Sequence, residues 1–343
     1  MPRLSPIFVA LAALMAQAVA ARADAVSDFY RGQTINLILG SDPGGGYDAY
    51  ARPVARHLGR HIPGNPSIAV KYMPGAGSLV AANWLYNAAT RDGLHIGGVQ
   101  RQIPFEPLRG NDAVRYDPFK FIWLGSVTAE TAVFIVNAAA PHRVAGDLLK
   151  FPLIAASLGS GTDGEVETNA LARLHKAPIK LISGYRGTPE ALLALERGEV
   201  QGVHGISWSY IKSKKMDWLK EGKVRLLVQS GLEQHPDLPS TPQLQSLAVD
   251  DEDRQVWDLI LAPKVMSRPY LLPPETPSDR SAALRSAFAN LMIDPAFLEE
   301  MDKAQLEVKL ATGEAIEQLM RRLYSLPPST ITKMRTAIAA DGH

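Results

Sequence analysis

The region between residues 33 and 99 alternates apolar runs with glycine-rich segments, and this order constrains the fold most. Residues 35–39 form an apolar run that favours a strand, residues 41–48 form a loop with three consecutive glycines, and helical periodicity follows. Residues 67–72 and 94–99 repeat the strand pattern. A strand–helix–strand–helix–strand order predicts a parallel sheet with right-handed crossovers, so we expect an α/β fold.

The glycine loop predicts an anion site. A glycine loop between a strand and a helix leaves backbone N–H groups at the helix N-terminus, where a carboxylate or a phosphate binds well. A second glycine turn occupies residues 74–78. The pattern recurs later, with strand-like runs at 153–158 and 179–182 ahead of glycine turns at 159–164 and 184–187. Because ligands bind at the carboxyl ends of strands in such sheets, two such halves predict a cleft between two domains.

Local signals set the expected helix ends. Asp48 or Tyr47 is expected to cap the first helix. Pro53 fits the first turn of a helix but would kink the helix at a later position. Thr162 and Glu165 match a capping box ahead of the helix in the second half. The C-terminal region predicts four helices, near 281–292, 295–303, 313–323 and 328–339.

The N-terminus has the pattern of a secretory signal peptide. Arg3 precedes the apolar run 7–20. Ala21-Arg22-Ala23 forms a cleavage site of the A-x-A type, and Ala18-Val19-Ala20 is a second candidate. The apolar run is shorter than the roughly 20 residues that a membrane-spanning helix needs. We therefore expect residues 1–23 to be removed and the mature chain to reside in the periplasm.

Composition excludes several classes of function. Removal of Arg3 and Arg22 leaves 34 basic and 35 acidic residues, a net charge of −1. A protein with this charge is not expected to bind nucleic acid. The chain has no cysteine, which excludes thiol catalysis, disulfides and cysteine metal sites. A chain of this length can bury an adequate core without disulfides and is expected to form two domains.

Three other kinds of site were weighed. The glycine loop also fits a dinucleotide fingerprint, but the second strand ends without the acidic residue that would hold a ribose. His57 and His61 stand at metal-ligand spacing on a helix, but no third ligand follows, so a solvated helix face is preferred. No G-x-S-x-G elbow is present. We expect no catalytic residue, no bound metal and no cofactor, and thus not an enzyme.

A combined signal is carried by residues 28–35, 43–48, 74–78, 81–86, 184–187, 194–200 and 207–209. Together these segments resemble the Bug family, the extracytoplasmic substrate-binding proteins of tripartite tricarboxylate transporters. The resemblance implies a two-domain periplasmic-binding-protein fold of type II-like, flytrap form, in which each domain is a mostly parallel sheet flanked by helices. The domains are expected at 24–131 plus 262–343 and at 132–261, and they would close over a small carboxylate.

The resemblance also implies which residues contact the ligand. In the first domain these are Ser41, Gly44, Gly45, Gly46, Tyr47, Asp48, Gly77 and Ser78, and in the second domain Ser160, Gly161, Thr162, Asp163, Tyr185, Arg186 and Gly187. Arg101 follows the third strand and is a further candidate. Two of these residues have alternative interpretations, because Asp48 also suits a plain N-cap and Arg186 a surface charge beside a turn. Relatives often have Thr at the position of Tyr47 and Asp at that of Gln201.

The leading hypothesis is a solute receptor that binds a di- or tricarboxylate, an aromatic acid or a similar organic acid and delivers it to membrane transporter subunits. A second hypothesis is that the loaded form docks on a sensor kinase. A third, an exported α/β enzyme, lacks a visible nucleophile–base pair or metal cluster. We expect a monomer that binds no nucleic acid. The loops do not identify the ligand, because their N–H groups can donate to any carboxylate.

Overall fold

A computed structural model describes residues 25–157, 162–185 and 187–339. The expected signal peptide at 1–23 and the candidate residues Ser160, Gly161 and Arg186 lie outside the described residues. Among the described helices, none is long and apolar enough to cross a membrane.

The structure is built from alternating strands and helices. The strands are β1 (Thr34–Leu39), β2 (Ser67–Tyr72), β3 (His95–Gly98), β4 (Ile122–Ser126), β5 (Ala132–Asn137), β6 (Leu153–Ala156), β7 (Ile179–Ile182), β8 (Gly202–Ser207), β9 (Val224–Ser230), β10 (Pro269–Leu272) and β11 (Ala311–Thr312). The helices are α1 (25–30), α2 (Gly46–Leu58), α3 (Leu79–Asn87), α4 (Glu106–Arg109), α5 (Asp163–His175), α6 (Thr188–Glu196), α7 (Trp208–Lys214), α8 (Met216–Lys220), α9 (Asp251–Leu261), α10 (Ser278–Leu291), α11 (Pro295–Lys303), α12 (Gly313–Tyr324) and α13 (Pro328–Ile338).

The first of two compact units comprises residues 25–103, 113–127 and 268–317. Its six-stranded sheet has the order β11-β4-β10-β3-β1-β2, and β1 is parallel to both of its neighbours. The chain passes from β1 to β2 on one side and then to β3 on the other side, so the carboxyl end of β1 is a topological switch point. Leu37, Leu39, Phe288 and Phe297 belong to the buried core of this unit.

The second unit comprises residues 104–112, 128–267 and 318–339. Its five-stranded sheet has the order β7-β6-β8-β5-β9, with β6 parallel to β7 and β8 and with β5 antiparallel to β8 and β9. Phe134, Leu148, Leu171 and Trp257 are fully buried in one of its core clusters. The α5 helix packs closely on β8, because a Cβ on Gly164 would lie 2.2 Å from the carbonyl oxygen of His204.

The α/β fold class is confirmed, and both sheets are mixed. In the first sheet β10 pairs antiparallel with β3 and β4, and β11 pairs antiparallel with β4. In the second sheet β5 pairs antiparallel with β8 and β9. The compact units differ from the expected domain bounds at 104–112, 128–131, 262–267 and 318–339, which belong to the second unit. The first and last of these segments belong there by packing, since α13 contacts α4, α5 and α9, and Arg335 Nε donates to Leu108 O over 2.7 Å.

The predicted solvated face of His57 and His61 is wrong. His57 Nε2 lies 2.6 Å from Glu300 Oε2, and His61 Nε2 lies 2.6 Å from Asp294 Oδ2. Burial alone would raise the pKa of Asp294, but Arg60, His61 and the Ala296 N–H together hold that pKa well below its usual range. The two histidines therefore help to attach the end of α2 to α11 within the first unit.

Candidate ligand-binding site

The glycine loop between β1 and α2 forms the centre of the candidate site in the first unit. Gly44 has φ 82°, a left-handed conformation that favours glycine. Gly45 is the N-cap of α2, so the predicted N-cap at Tyr47 or Asp48 is wrong. The first intrahelical bond runs from Ala49 N to Gly45 O over 2.9 Å. The N–H groups of residues 46–48 precede that bond and, as in any helix, have no intrahelical acceptor.

Asp48 holds the loop against the start of α2. Its side chain is buried, and its carboxylate accepts from Gly44 N at 2.7 Å, Arg52 Nε at 2.8 Å and Tyr72 Oη at 2.8 Å. Burial alone would raise the pKa of Asp48, but these three donors hold it below its usual value. The Asp48 carboxylate is thus engaged within the protein.

Replacing Asp48 by asparagine is expected to lower the free energy of unfolding by about 1.5–3 kcal/mol at pH 7, because a charged acceptor of three hydrogen bonds is lost. The folded-state pKa lies below the unfolded value of about 3.9, so this contribution is present above that value and is lost as the pH falls through the folded-state pKa. Urea unfolding at pH 7 and at pH 3 measures the effect. Equal stability of variant and parent at pH 7 would contradict the assignment.

The second glycine turn lies beside the first. Ser78 has φ 73°, and its buried Oγ donates to Gly40 O at 2.7 Å and accepts from Gln100 N at 3.0 Å. A Cβ on Gly40 would lie 2.4 Å from Ser78 Oγ, so only glycine fits there. A Cβ on Gly77 would lie 3.7 Å from Gln100 Oε1. The Ser78 hydroxyl therefore joins the ends of β1 and β3, and its two hydrogen bonds are to the backbone.

Further predicted residues gather at the same edge of the sheet. Tyr47 Oη accepts a hydrogen bond from the backbone N–H of Arg101 at 3.1 Å, which places the segment after β3 next to α2. Ser41 Oγ is buried and has no hydrogen-bond partner among the described residues. The structure thus brings together, in the first unit, the predicted residues Ser41, Gly44, Gly45, Gly46, Tyr47, Asp48, Gly77, Ser78 and Arg101.

Sequence reasoning missed Arg268, which precedes β10. Its guanidinium carbon lies 4.4 Å from the centre of the Tyr47 ring and 5.1 Å from that of the Tyr50 ring. A Cβ on Gly46 would lie 3.3 Å from Arg268 Nη2. No local sequence signal reveals this position, because β10 enters the sheet beside β3 from more than 160 residues further along the chain.

The second unit carries the remaining described candidates. Thr162 is the N-cap of α5 without a side-chain capping hydrogen bond, so the predicted Thr162–Glu165 capping box is not formed. Asp163, the first residue of α5, lies 2.6 Å from Lys264 Nζ. Gly187 is the N-cap of α6, and Tyr185 is half-buried. Burial, followed by the charges of Glu199 and Glu190, raises the pKa of Tyr185, so the phenol stays protonated at neutral pH.

A buried ionic cluster behind the start of α5 was also missed. Lys264 Nζ lies 2.9 Å from Glu167 Oε1, and His204 Nε2 lies 3.0 Å from Glu167 Oε2. Burial opposes ionisation of Glu167, but Lys264 and then His204 keep its pKa below the usual value. Thr168 Oγ1 donates its hydrogen to Gly164 O at 2.6 Å. The same oxygen therefore accepts a hydrogen bond from the ring N–H at His204 Nδ1, at 3.0 Å.

This environment indicates that the His204 side chain is structural. The residue is 2% exposed, and its ring stacks on Phe134 with 4.5 Å between the ring centres. Gln201, whose role was open from sequence, accepts from the N–H of Ile154 at 3.0 Å through its side-chain oxygen. Within the described ranges, no group of three or more His, Asp or Glu residues is arranged to hold a metal ion.

Comparison with known proteins places the chain in a family. The family model described as the tripartite tricarboxylate transporter family receptor matches residues 51–324. A curated relative from Cupriavidus necator, the UPF0065 protein in gbd 5'region, is 25% identical over 97% of this chain and 96% of its own length. These findings confirm the resemblance seen in the sequence.

Solved structures share the fold. A TctC solute binding protein from Polaromonas aligns with a TM-score of 0.69 at 19% identity, over 90% of this chain and 99% of that one. An R. palustris protein with adipate aligns with a TM-score of 0.59 at 16% identity, over 89% of this chain and 97% of that one. The chain belongs to the tripartite tricarboxylate transporter receptor family.

Proposed function

We propose that this protein is a periplasmic receptor that binds a small carboxylate and delivers it to the membrane subunits of a tripartite tricarboxylate transporter. One observation supports the ligand class most directly: the glycine loop at the carboxyl end of β1, where the N–H groups of residues 46–48 start α2. Backbone donors and the positive end of a helix stabilise an anion. The adipate bound by the R. palustris neighbour is a ligand of this chemical class.

The same geometry disfavours a dinucleotide. A Rossmann site needs an acidic side chain at the end of the second strand for the ribose. In this protein β2 ends at Tyr72, whose hydroxyl donates to Asp48 at 2.8 Å. A small organic acid fits this loop better than a nucleotide cofactor.

The family consists of receptors and is not a class of enzymes. We propose on this basis that the protein carries out no chemistry and that a separate membrane transporter moves the ligand. Periplasmic residence follows the family, while cleavage after residue 23, a monomeric state and docking on a sensor kinase stay predictions. Ligand contacts by the predicted residues of both units are likewise part of the proposal.

A thermal-shift screen tests the proposed ligand class. Dicarboxylates of four to six carbons, adipate among them, are expected to raise the melting temperature of the mature protein. A ligand present at 100 times its dissociation constant stabilises the native state by about 2.7 kcal/mol. The corresponding neutral diamides serve as controls and should give a much smaller shift. Absence of any shift with every organic acid tested, for a protein shown to be folded, would contradict the proposed ligand class.

A further inference from the structure

We propose that Arg268, held against the ring of Tyr47, makes the first-unit glycine loop select a charged carboxylate over a neutral group of the same shape. This inference rests on the proposed function, because it concerns the same loop. It adds a side chain that determines specificity to a site otherwise described by backbone donors. The two residues are called the Tyr47–Arg268 pair below.

The position of the guanidinium is fixed by two aromatic rings. Its central carbon lies 4.4 Å from the centre of the Tyr47 ring and 5.1 Å from that of the Tyr50 ring. Each ring is anchored at its hydroxyl, since Tyr47 Oη accepts from Arg101 N and Tyr50 Oη donates to Glu307 O, both at 3.1 Å. A guanidinium that contacts aromatic faces keeps its N–H donors along its planar edge, where they can bind a carboxylate with two parallel bonds.

The same guanidinium lies beside the first residue of α2. The position that a Cβ would take on Gly46 is 3.3 Å from Arg268 Nη2, so a larger residue at 46 would press on the guanidinium. Gly46 also carries the first of the N–H groups that precede the intrahelical bonds. A carboxylate at the start of α2 therefore lies within reach of both kinds of donor, one from the backbone and one from Arg268.

The charges around the loop give Arg268 its importance. Asp48 is negative but has its counterion in Arg52, whose Nε donates to it at 2.8 Å. Asp42 is exposed to solvent, and the high dielectric constant of water weakens the interaction of its charge with neighbouring charges. Arg268 lies partly buried against the two tyrosines, and its charge is screened less. Its positive charge adds to the positive end of α2, and both favour an anion at the loop.

The physical basis of the selection is the difference between charged and neutral acceptors. Backbone N–H groups form hydrogen bonds of the same geometry to an amide oxygen and to a carboxylate oxygen. A guanidinium discriminates between them, because a hydrogen bond between two charged groups is roughly twice as strong as a neutral one. An amide also presents its own N–H donors, which oppose those of the guanidinium.

Calorimetric titration with adipate and with adipamide, its neutral diamide, tests the proposal. In Arg268→Gln the affinity for adipate is expected to fall about tenfold to a hundredfold, the loss of one hydrogen bond between charged groups. Arg268→Lys should retain part of the affinity, since it keeps the charge without the planar fork. The affinity for adipamide should change by less than about threefold. If adipate is not bound, the best dicarboxylate of the thermal-shift screen and its diamide are the probes.

Arg285→Gln is the matched control. Arg285 is also a partly buried arginine of the first unit, it pairs with Glu314 and Glu317, and its replacement changes the net charge equally. This variant should bind adipate as the parent does. The dependence of adipate affinity on ionic strength should weaken in Arg268→Gln and persist in Arg285→Gln, which a purely structural role of Arg268 would not produce.

The outcomes separate two failures. A parent that binds no dicarboxylate overturns the proposed function and this inference together. A parent that binds a dicarboxylate while Arg268→Gln keeps its affinity and salt dependence overturns the inference alone. Should Arg268→Gln not fold, Tyr47→Leu replaces it, because loss of the ring releases the guanidinium while the charge remains. Unchanged adipate affinity of a folded Tyr47→Leu would then overturn the inference.

Discussion

Replacement of Lys264 by methionine is expected to lower the free energy of unfolding by about 3–5 kcal/mol at pH 7. The lysine side chain is 3% exposed, and its Nζ lies 2.6 Å from Asp163 and 2.9 Å from Glu167. Methionine would remove the cation and leave the buried Glu167 carboxylate with His204 as its remaining partner in the cluster. An uncompensated buried charge is one of the most destabilising changes in a protein core. Urea unfolding followed by circular dichroism measures the loss.

Two further variants isolate the cause. Lys303 forms an exposed pair with Glu299 at 2.6 Å, so Lys303→Met should leave the stability close to that of the parent. Adding Glu167→Gln to Lys264→Met should restore part of the stability, because a neutral side chain needs no counterion. A Lys264→Met protein as stable as the parent would show that the cluster does not hold α5 in place.

The second large effect is expected at the glycine loop, where Gly45→Val should weaken adipate binding roughly a hundredfold or more while the fold stays intact. Gly45 has φ −83°, which valine adopts without strain, and the nearest atom to an added Cβ is Asp42 O at 3.7 Å. The new side chain would stand at the N-cap, where it keeps a carboxylate away from two or more of its donors. Each hydrogen bond to a charged group contributes about 1.5–3 kcal/mol.

Gly146→Val is the matched control for the loop variant. An added Cβ at Gly146 meets nothing within 4 Å, and this residue lies in the second unit, outside the predicted ligand contacts. The control should bind adipate as tightly as the parent, and both variants should melt at the parent temperature. Parent-like binding by Gly45→Val would place the site away from this loop.

Patterns confined to short stretches of chain predicted much of the fold. The strands Ser67–Tyr72 and Ile179–Ile182 have the predicted bounds, since their apolar, β-branched composition is decisive locally. The helix Pro295–Lys303 also matches, because Asp294 caps it and a proline opens it. The glycine loop was found for the same reason, as three glycines after a strand are a local signal.

Other features depend on distant partners and left no local signal. The strand Gly202–Ser207 was missed because its two glycines and one histidine disfavour a strand, although it lies at the centre of its sheet. Arg268 and the Lys264–Glu167–His204 cluster unite residues from widely separated segments. The N-cap was predicted too late because Gly45 begins the helix with its backbone alone, while Asp48 holds the loop from within the first turn.

Nuclear magnetic resonance of labelled protein during a titration with adipate, or with the best dicarboxylate of the screen, tests the central claim most directly. The claim is that the N–H groups at the start of α2 bind the ligand carboxylate. The amide resonances of Gly46 and Tyr47 are expected to shift strongly and to saturate at the dissociation constant that calorimetry gives. The claim is contradicted if calorimetry detects binding of the ligand while these two resonances do not shift.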